Sequence, residues 1–127
     1  MDSRISTAEE EVMAEKKYLP GNTIMMILKL LDSEDMYGHQ IIVALAKKSF
    51  DAFNIKTGIL YPIMHNLEND GLVTSYRSET EEGKDRKYYR ITASGREHLA
   101  KKWDEWLAYT NSVNTIMGGG LRYAVET

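Results

Sequence analysis

With 127 residues, and 16 lysines and arginines against 19 aspartates and glutamates, the chain has a net charge of −3. That is a size for one domain, and a balance that gives no general attraction for phosphates. It has no cysteine, which excludes disulfides and thiolate metal sites.

No apolar run approaches the ~20 residues that span a bilayer, and the acidic N-terminus is unlike a signal peptide, so cytoplasm is the expected compartment. The charge is uneven along the chain. Residues 1–19 carry five acids against three bases and residues 20–55 four against three, while residues 56–127 are neutral by count.

Ser6-Thr7-Ala8-Glu9 has the form of a capping box, and Glu9 to Glu11 suit the positive end of a helix running to about Tyr18. Its apolar face is thin, so it should lean on something rather than form core. After Pro20-Gly21, Thr23 to Leu31 is the most hydrophobic segment. Ile24, Ile27, Leu28 and Leu31 have the spacing of a short buried helix. Asp32 to Asp35 breaks it and offers caps for a second helix, Tyr37 to about Lys48, with Tyr37, Ile41, Ala44 and Leu45 inward. Phe50 and Phe53 are expected to close the core over the next turn.

Asn54 to Thr92 organises the rest. Ile59, Leu60, Ile63, Met64 and Leu67 recur at three and four, which predicts a helix with one buried face. Lys56 and Thr57 stand at its start. Its other face offers Thr57, Tyr61, His65 and Asn66, all able to hydrogen-bond to phosphates or base edges. If Thr57 caps the helix, Pro62 removes one backbone hydrogen bond; a start one or two residues later avoids the loss. Asn69-Asp70-Gly71 is a stop. Two strands follow, Leu72 to Arg77 and Arg86 to Thr92, around a polar tip that contains Lys84. Such a helix and hairpin suit a winged helix-turn-helix, the helix entering the major groove and Lys84, Arg86 and Lys87 on the wing reaching phosphates. An ordinary amphipathic helix and hairpin with solvated charges is the alternative. The basic cluster, Arg90 included, is diluted by Glu79, Glu81, Glu82 and Asp85, so non-specific DNA affinity should be weak.

Ala93-Ser94-Gly95 reads as a joint, and Arg96 to about Met117 as one long helix. Leu99, Trp103, Trp106, Thr110, Val113 and Met117 form a heptad-like stripe. Such a stripe suits a homodimer seam, or else folds back on its own domain. Trp103 and Trp106 are interface packing or, in the sharper reading, flank a dimer-centre cleft for flat aromatic ligands. Gly118 to Gly120 ends the helix and begins a tail. His39, His65 and His98 show no metal spacing, and no phosphate loop or nucleophile motif occurs, so neither catalysis nor a cofactor or metal is expected.

Tyr37-Gly38 with Gln40-Ile41, Gly58-Ile59-Leu60-Tyr61-Pro62, Leu67-Glu68 with Gly71-Leu72-Val73, and Arg86 through Thr92 with Gly95 occur in order. In these motifs the chain resembles the PadR family of bacterial transcriptional regulators, over roughly Leu19 to Met117. The resemblance implies a winged-helix homodimer that binds double-stranded operator DNA as a repressor. Ile59 stands where the family commonly has Thr, His39 and Gln40 where it often has an aromatic and a Glu, and basic residues near His65 and Asn66 are missing. These departures imply a different operator. The short C-terminus is similar to the smaller branch. Counted from Thr92 and Gly95, Trp106 falls where a multidrug-sensing member of that branch stacks planar drugs across the dimer centre.

The expected architecture is mainly α with a β-hairpin wing. Residues 1–19 form a helical extension, 20–92 the winged helix-turn-helix, 93–117 the dimerisation helix and 118–127 a tail. The expected function is a repressor relieved by a planar aromatic effector; the alternative is a winged-helix module that binds protein and not DNA.

Overall fold

The computed structural model describes residues 22–118. The helix expected over Ser6 to Tyr18 and the tail beyond Gly118 lie outside the described residues. Within them the order is α1 (Asn22–Ser33), β1 (Met36–Tyr37), α2 (Gly38–Lys48), α3 (Thr57–Asn69), β2 (Val73–Glu79), β3 (Asp85–Ile91) and α4 (Ala93–Met117). This is the mainly helical fold with a hairpin wing that the sequence predicts.

α1 is apolar on nearly all sides, and it is covered on nearly all sides: it packs against α2, β3 and α4. Ile27 and Leu28 of α1, Ile41 of α2, Leu60, Met64 and Leu67 of α3 and Val73 of β2 are fully buried together. Each such side chain contributes roughly 1.5–3 kcal/mol on leaving water. Tyr89 and Ile91 bring β3 onto the same core.

The sheet has the order β1-β3-β2 and is antiparallel throughout. The hairpin pairs Val73 with Ile91 at its base and Glu79 with Asp85 at its tip, so the strands run two residues further towards the tip than predicted on β2 and one on β3. β1 was not foreseen. Its two residues pair with Tyr88 and Tyr89, and a two-residue strand carries too little alternation to be read from a sequence.

Several boundaries move for local reasons. Tyr37 is the residue before α2, and Gln40 Oε1 accepts its backbone N–H at 3.1 Å, so the Asp-rich linker does not cap that helix. α3 begins at Thr57 with Lys56 before it; Thr57 is therefore inside the helix and does not cap it. Pro62 consequently lies within the helix and leaves the Gly58 carbonyl without its helical donor. α4 begins at Ala93, three residues before the expected start, because Thr92 Oγ1 accepts the Gly95 N–H at 2.9 Å.

Phe50 does not close the core. Phe50 and Asp51 have φ of 51° and 66°, a left-handed pair that turns the chain after α2 and leaves the Phe50 side chain 94% exposed. Phe53 takes the inward place instead, its backbone N–H donating to Ser49 Oγ at 3.0 Å.

Thr92 is the joint between the two halves. Its hydroxyl also donates to the Gly71 carbonyl at 2.7 Å, and its N–H reaches Leu72 O at 3.1 Å. Gly95 is buried so close to this crossing that a Cβ there would run into the Leu72 carbonyl and the Ile91 side chain.

Candidate nucleic-acid interface

The exposed side of α3 is formed by Thr57, Gly58, Tyr61, Pro62, His65, Asn66 and Asn69. Over more than three turns this face carries hydroxyl, imidazole and amide groups and no Asp, Glu, Lys or Arg. Glu68 is the only Asp, Glu, Lys or Arg between Thr57 and Asn69. His65 Nε2 lies 3.2 Å from Asn69 Nδ2 one turn on, while Thr57 and Asn66 are exposed.

Tyr61 is positioned by its neighbour helix. A Cβ on Gly38 would meet the Tyr61 hydroxyl and ring, so glycine at the start of α2 lets the two helices close on each other. Tyr61 remains 46% exposed, one side on α2 and one side free.

The wing has two chemically different faces, set by the alternation of the strands. Its outer face carries a ladder of rings: Tyr37 meets Tyr88 edge-on at 5.3 Å, and Tyr88 stacks on Tyr76 at 5.6 Å. The Arg86 guanidinium lies 5.8 Å from the Tyr37 ring centre and Arg90 5.2 Å from that of Tyr76. Arg90 is also held by Asp35, at 2.8 Å, and Asp35 accepts the Tyr76 hydroxyl at 2.5 Å. The Arg90 hydrogen bond, assisted by that of Tyr76 and opposed by partial burial, holds the Asp35 carboxyl below its usual range. The same contact pushes the Tyr76 hydroxyl up. Asp35 thus ties the wing to the turn after α1.

On the inner face, Lys87 Nζ is 3.3 Å from Glu68 and 5.5 Å from the Tyr89 ring centre. Ser75 Oγ donates to the same Glu68 carboxylate at 2.5 Å. That bond, more than Lys87, keeps the Glu68 carboxyl below its usual range against partial burial. Arg77 pairs with Asp85 at 2.5 Å. Of the bases named from the sequence, Lys56, Lys84 and Arg86 have no carboxylate partner among the described residues, whereas Lys87 has one.

Glu68, Asp35, Ser75 and Tyr76 were not singled out in the sequence. Asp35 sits 55 positions from Arg90, and nothing local marks the pair. The Leu67-Glu68 motif was visible, but not what its carboxylate holds.

The two tryptophans point to different surroundings. Trp103 lines a groove of about 840 Å³ with Met25, Met26, Leu30, Phe53 and Leu99, between α1, α2 and α4. Trp106 is not among its lining residues; its ring centre lies 6.0 Å from that of Tyr109. Leu99 packs half-buried on the core, while Trp103, Val113 and Met117 are 49%, 38% and 55% exposed. The stripe therefore lies against its own domain at Leu99 and Trp103, is half-buried at Trp106 and Thr110, and is exposed at Val113 and Met117. Among the described residues no His, Asp or Glu cluster suits a metal, and no helix is long and apolar enough to cross a membrane.

A buried three-helix core, a helix with an uncharged hydrogen-bonding face and a tethered hairpin are the parts of a reading head for a duplex. The model of the PadR-like family of transcriptional regulators matches residues 27–101, more than half of the chain. The chain belongs to the PadR-like family.

A PadR-like transcriptional regulator of Bacillus cereus is similar in structure, with a TM-score of 0.72 at 28% identity over 81% of this chain and 98% of that one. A transcriptional regulator from Clostridium thermocellum is 33% identical, with a TM-score of 0.66, over 72% of this chain and 89% of that one. An uncharacterised protein of Lysinibacillus sphaericus is 29% identical over 107 residues, 84% of this chain and 98% of its own length. PadR-like proteins are transcription regulators that bind DNA, and not enzymes. This PadR-like chain is accordingly a DNA-binding regulator of transcription.

Proposed function

We propose that this PadR-like regulator is a cytoplasmic homodimeric repressor that reads operator DNA with α3 and is released by a planar aromatic effector. The observation that carries the reading is the pairing of an uncharged, exposed α3 face with three cations, Lys56, Lys84 and Arg86, that no carboxylate neutralises among the described residues. Tyr61, His65, Asn66 and Thr57 face the groove, and those cations take phosphates. Residues 20–92 serve as the reading head, 93–117 as the dimerisation helix, and residues 1–19 and 118–127 as extension and tail.

The dimer is built on Leu99, Trp103, Trp106, Val113 and Met117. Support comes from the exposed distal stripe of α4, which a second copy of the helix would cover. Trp106, with Trp103 one turn away, flanks the cleft where the effector stacks. An effector that prefers a different angle between the two long helices changes the separation of the two reading heads. Half-sites lie ~34–36 Å apart, and a preference of ~1–3 kcal/mol lowers DNA affinity several-fold or more.

Fluorescence anisotropy on the duplex upstream of its own gene, over a salt series, tests the reading. Binding should favour that duplex over an unrelated one and weaken with salt. Absence of both sequence preference and salt dependence would favour the module that binds protein, a reading to which the internally neutralised Arg77, Lys87 and Arg90 lend weight.

A further inference from the structure

Arg86 and Lys87 are consecutive, yet the strand places them on opposite faces of the wing and gives them opposite circumstances. Arg86 shares the outer face with Tyr88 and lies over Tyr37. Lys87 shares the inner face with Tyr89 and Ile91, the two β3 residues that join the core. Its ammonium sits between the Glu68 carboxylate and the face of Tyr89. Ser75 Oγ donates to the same Glu68 carboxylate at 2.5 Å and so orients it towards the wing. Three elements meet here: the last turn of α3, β2 and β3.

From this geometry we infer that Glu68 is a positioning and specificity residue, which fixes the wing to the recognition helix and withholds Lys87 from DNA phosphates. The inference rests on α3 and the wing being the DNA interface. It answers two electrostatic needs at once. Glu68 is the one carboxylate on the helix that approaches DNA, and unpaired it would repel phosphates. Lys87, unpaired, would add a phosphate contact that any sequence satisfies. Paired, the two charges cancel, and the wing keeps one angle relative to α3. The grip then depends more on whether the groove-facing side chains fit their bases.

The size of the effect follows from counterion release. Each neutralised phosphate adds ~0.9 to the slope of log affinity against log salt, which at ~0.1 M salt is a factor of about eight. Glu68→Gln keeps an oxygen that accepts from Ser75 and removes the charge that holds Lys87.

The test measures salt slopes for the full chain on the upstream duplex and on an unrelated duplex of equal length. Glu68→Gln should steepen the slope by ~0.9 and raise affinity for the unrelated duplex about eightfold, so that discrimination narrows. Lys87→Ala alone should leave the slope of the parent unchanged. The double variant should return to the parent slope, which shows that the gain came through Lys87 and not from losing a repulsive carboxylate.

A slope unchanged by Glu68→Gln overturns the inference, as does a double variant that stays steep. So does a Lys87→Ala protein whose slope flattens by ~0.9 while Glu68 is present. That last measurement needs only a change at a half-exposed lysine, and it decides the matter even if Glu68→Gln folds poorly. When the parent binds with salt dependence and the variants behave otherwise than stated, Glu68 alone is misassigned. When the parent binds neither duplex, the DNA interface and the role of Glu68 fall together.

Discussion

The wing end and the distal half of α4 solve the same surface problem in opposite ways. Around the wing, three of five bases are paired inside the chain, Arg90 on Asp35, Lys87 on Glu68 and Arg77 on Asp85, while Lys84 and Arg86 have no carboxylate partner among the described residues. Along α4 beyond Leu99, Trp103, Leu107, Tyr109, Val113, Ile116 and Met117 are all at least 38% exposed. A polar surface with a few free cations is stable in water by itself and can meet DNA and leave it. A run of exposed indole and aliphatic side chains instead marks a place for a partner. On the proposed reading the first meets an exchangeable partner and the second a lasting one.

The contrast breaks most completely at α4. Trp103→Asp with Val113→Asp places two charges in the stripe, and sedimentation should then show a monomer where the parent shows a dimer. A parent that sediments as a monomer, or a variant of unchanged dimer mass, would remove the lasting partner from the account.

Next in size is the joint. Gly95→Ala pushes a Cβ into the Leu72 carbonyl, a backbone atom that cannot swing aside. Overpacking of this kind costs ~1–3 kcal/mol, occasionally more, and should lower the denaturant midpoint. Gly58→Ala, in open space on α3, should show no such loss; equal midpoints for the two would mean that the crossing is not tight.

On the DNA side, Asn66→Ala should relax preference at one base pair by about 1–3 kcal/mol if its contact is bidentate. Lys84→Ala should weaken all duplexes alike and flatten the salt slope by ~0.9. Uniform loss from Asn66→Ala would move it from the bases to the backbone.

The smallest effect is on pH. Asp35 and Glu68 are both held below their usual ranges, so each stabilises the fold fully above its unfolded value, ~3.9 and ~4.3 respectively. That contribution is lost as pH falls through the folded values. Both lie at the surface, where screening holds such pairs to under ~1 kcal/mol. Melting temperature should therefore fall slightly more steeply below pH ~4 in the parent than in Asp35→Asn.

Core helices were legible because burial leaves a period: Ile27, Leu28, Leu60, Met64 and Leu67 were all picked out by spacing and are all buried. The hairpin was legible from its alternation. Phe50 was misplaced because hydrophobicity says nothing of the left-handed turn that carries its side chain outward. Alternation alone puts Lys87 and Arg86 on opposite faces of the hairpin, but it does not show the Glu68 carboxylate that Lys87 meets. The carboxylates that pair with bases far along the chain were unreadable for a different reason. Asp32 and Asp35 stand together as a capping signal, yet they reach Arg96 and Arg90 across the fold. Locally, a cap and a long-range tether look alike.

The Thr92 hydroxyl, bonded both to Gly71 and to Gly95, leaves no slack where α4 leaves the wing. A helix of 25 residues is a rod of roughly 37 Å. Pivoted without a hinge, it is a lever: a tilt of ~5° at one end is a displacement of about 3 Å at the other, the rise of two helical residues. On the proposed reading, a push on the distal half of α4 is carried to the joint at Thr92, which is bonded to Gly71 in the turn that ends α3.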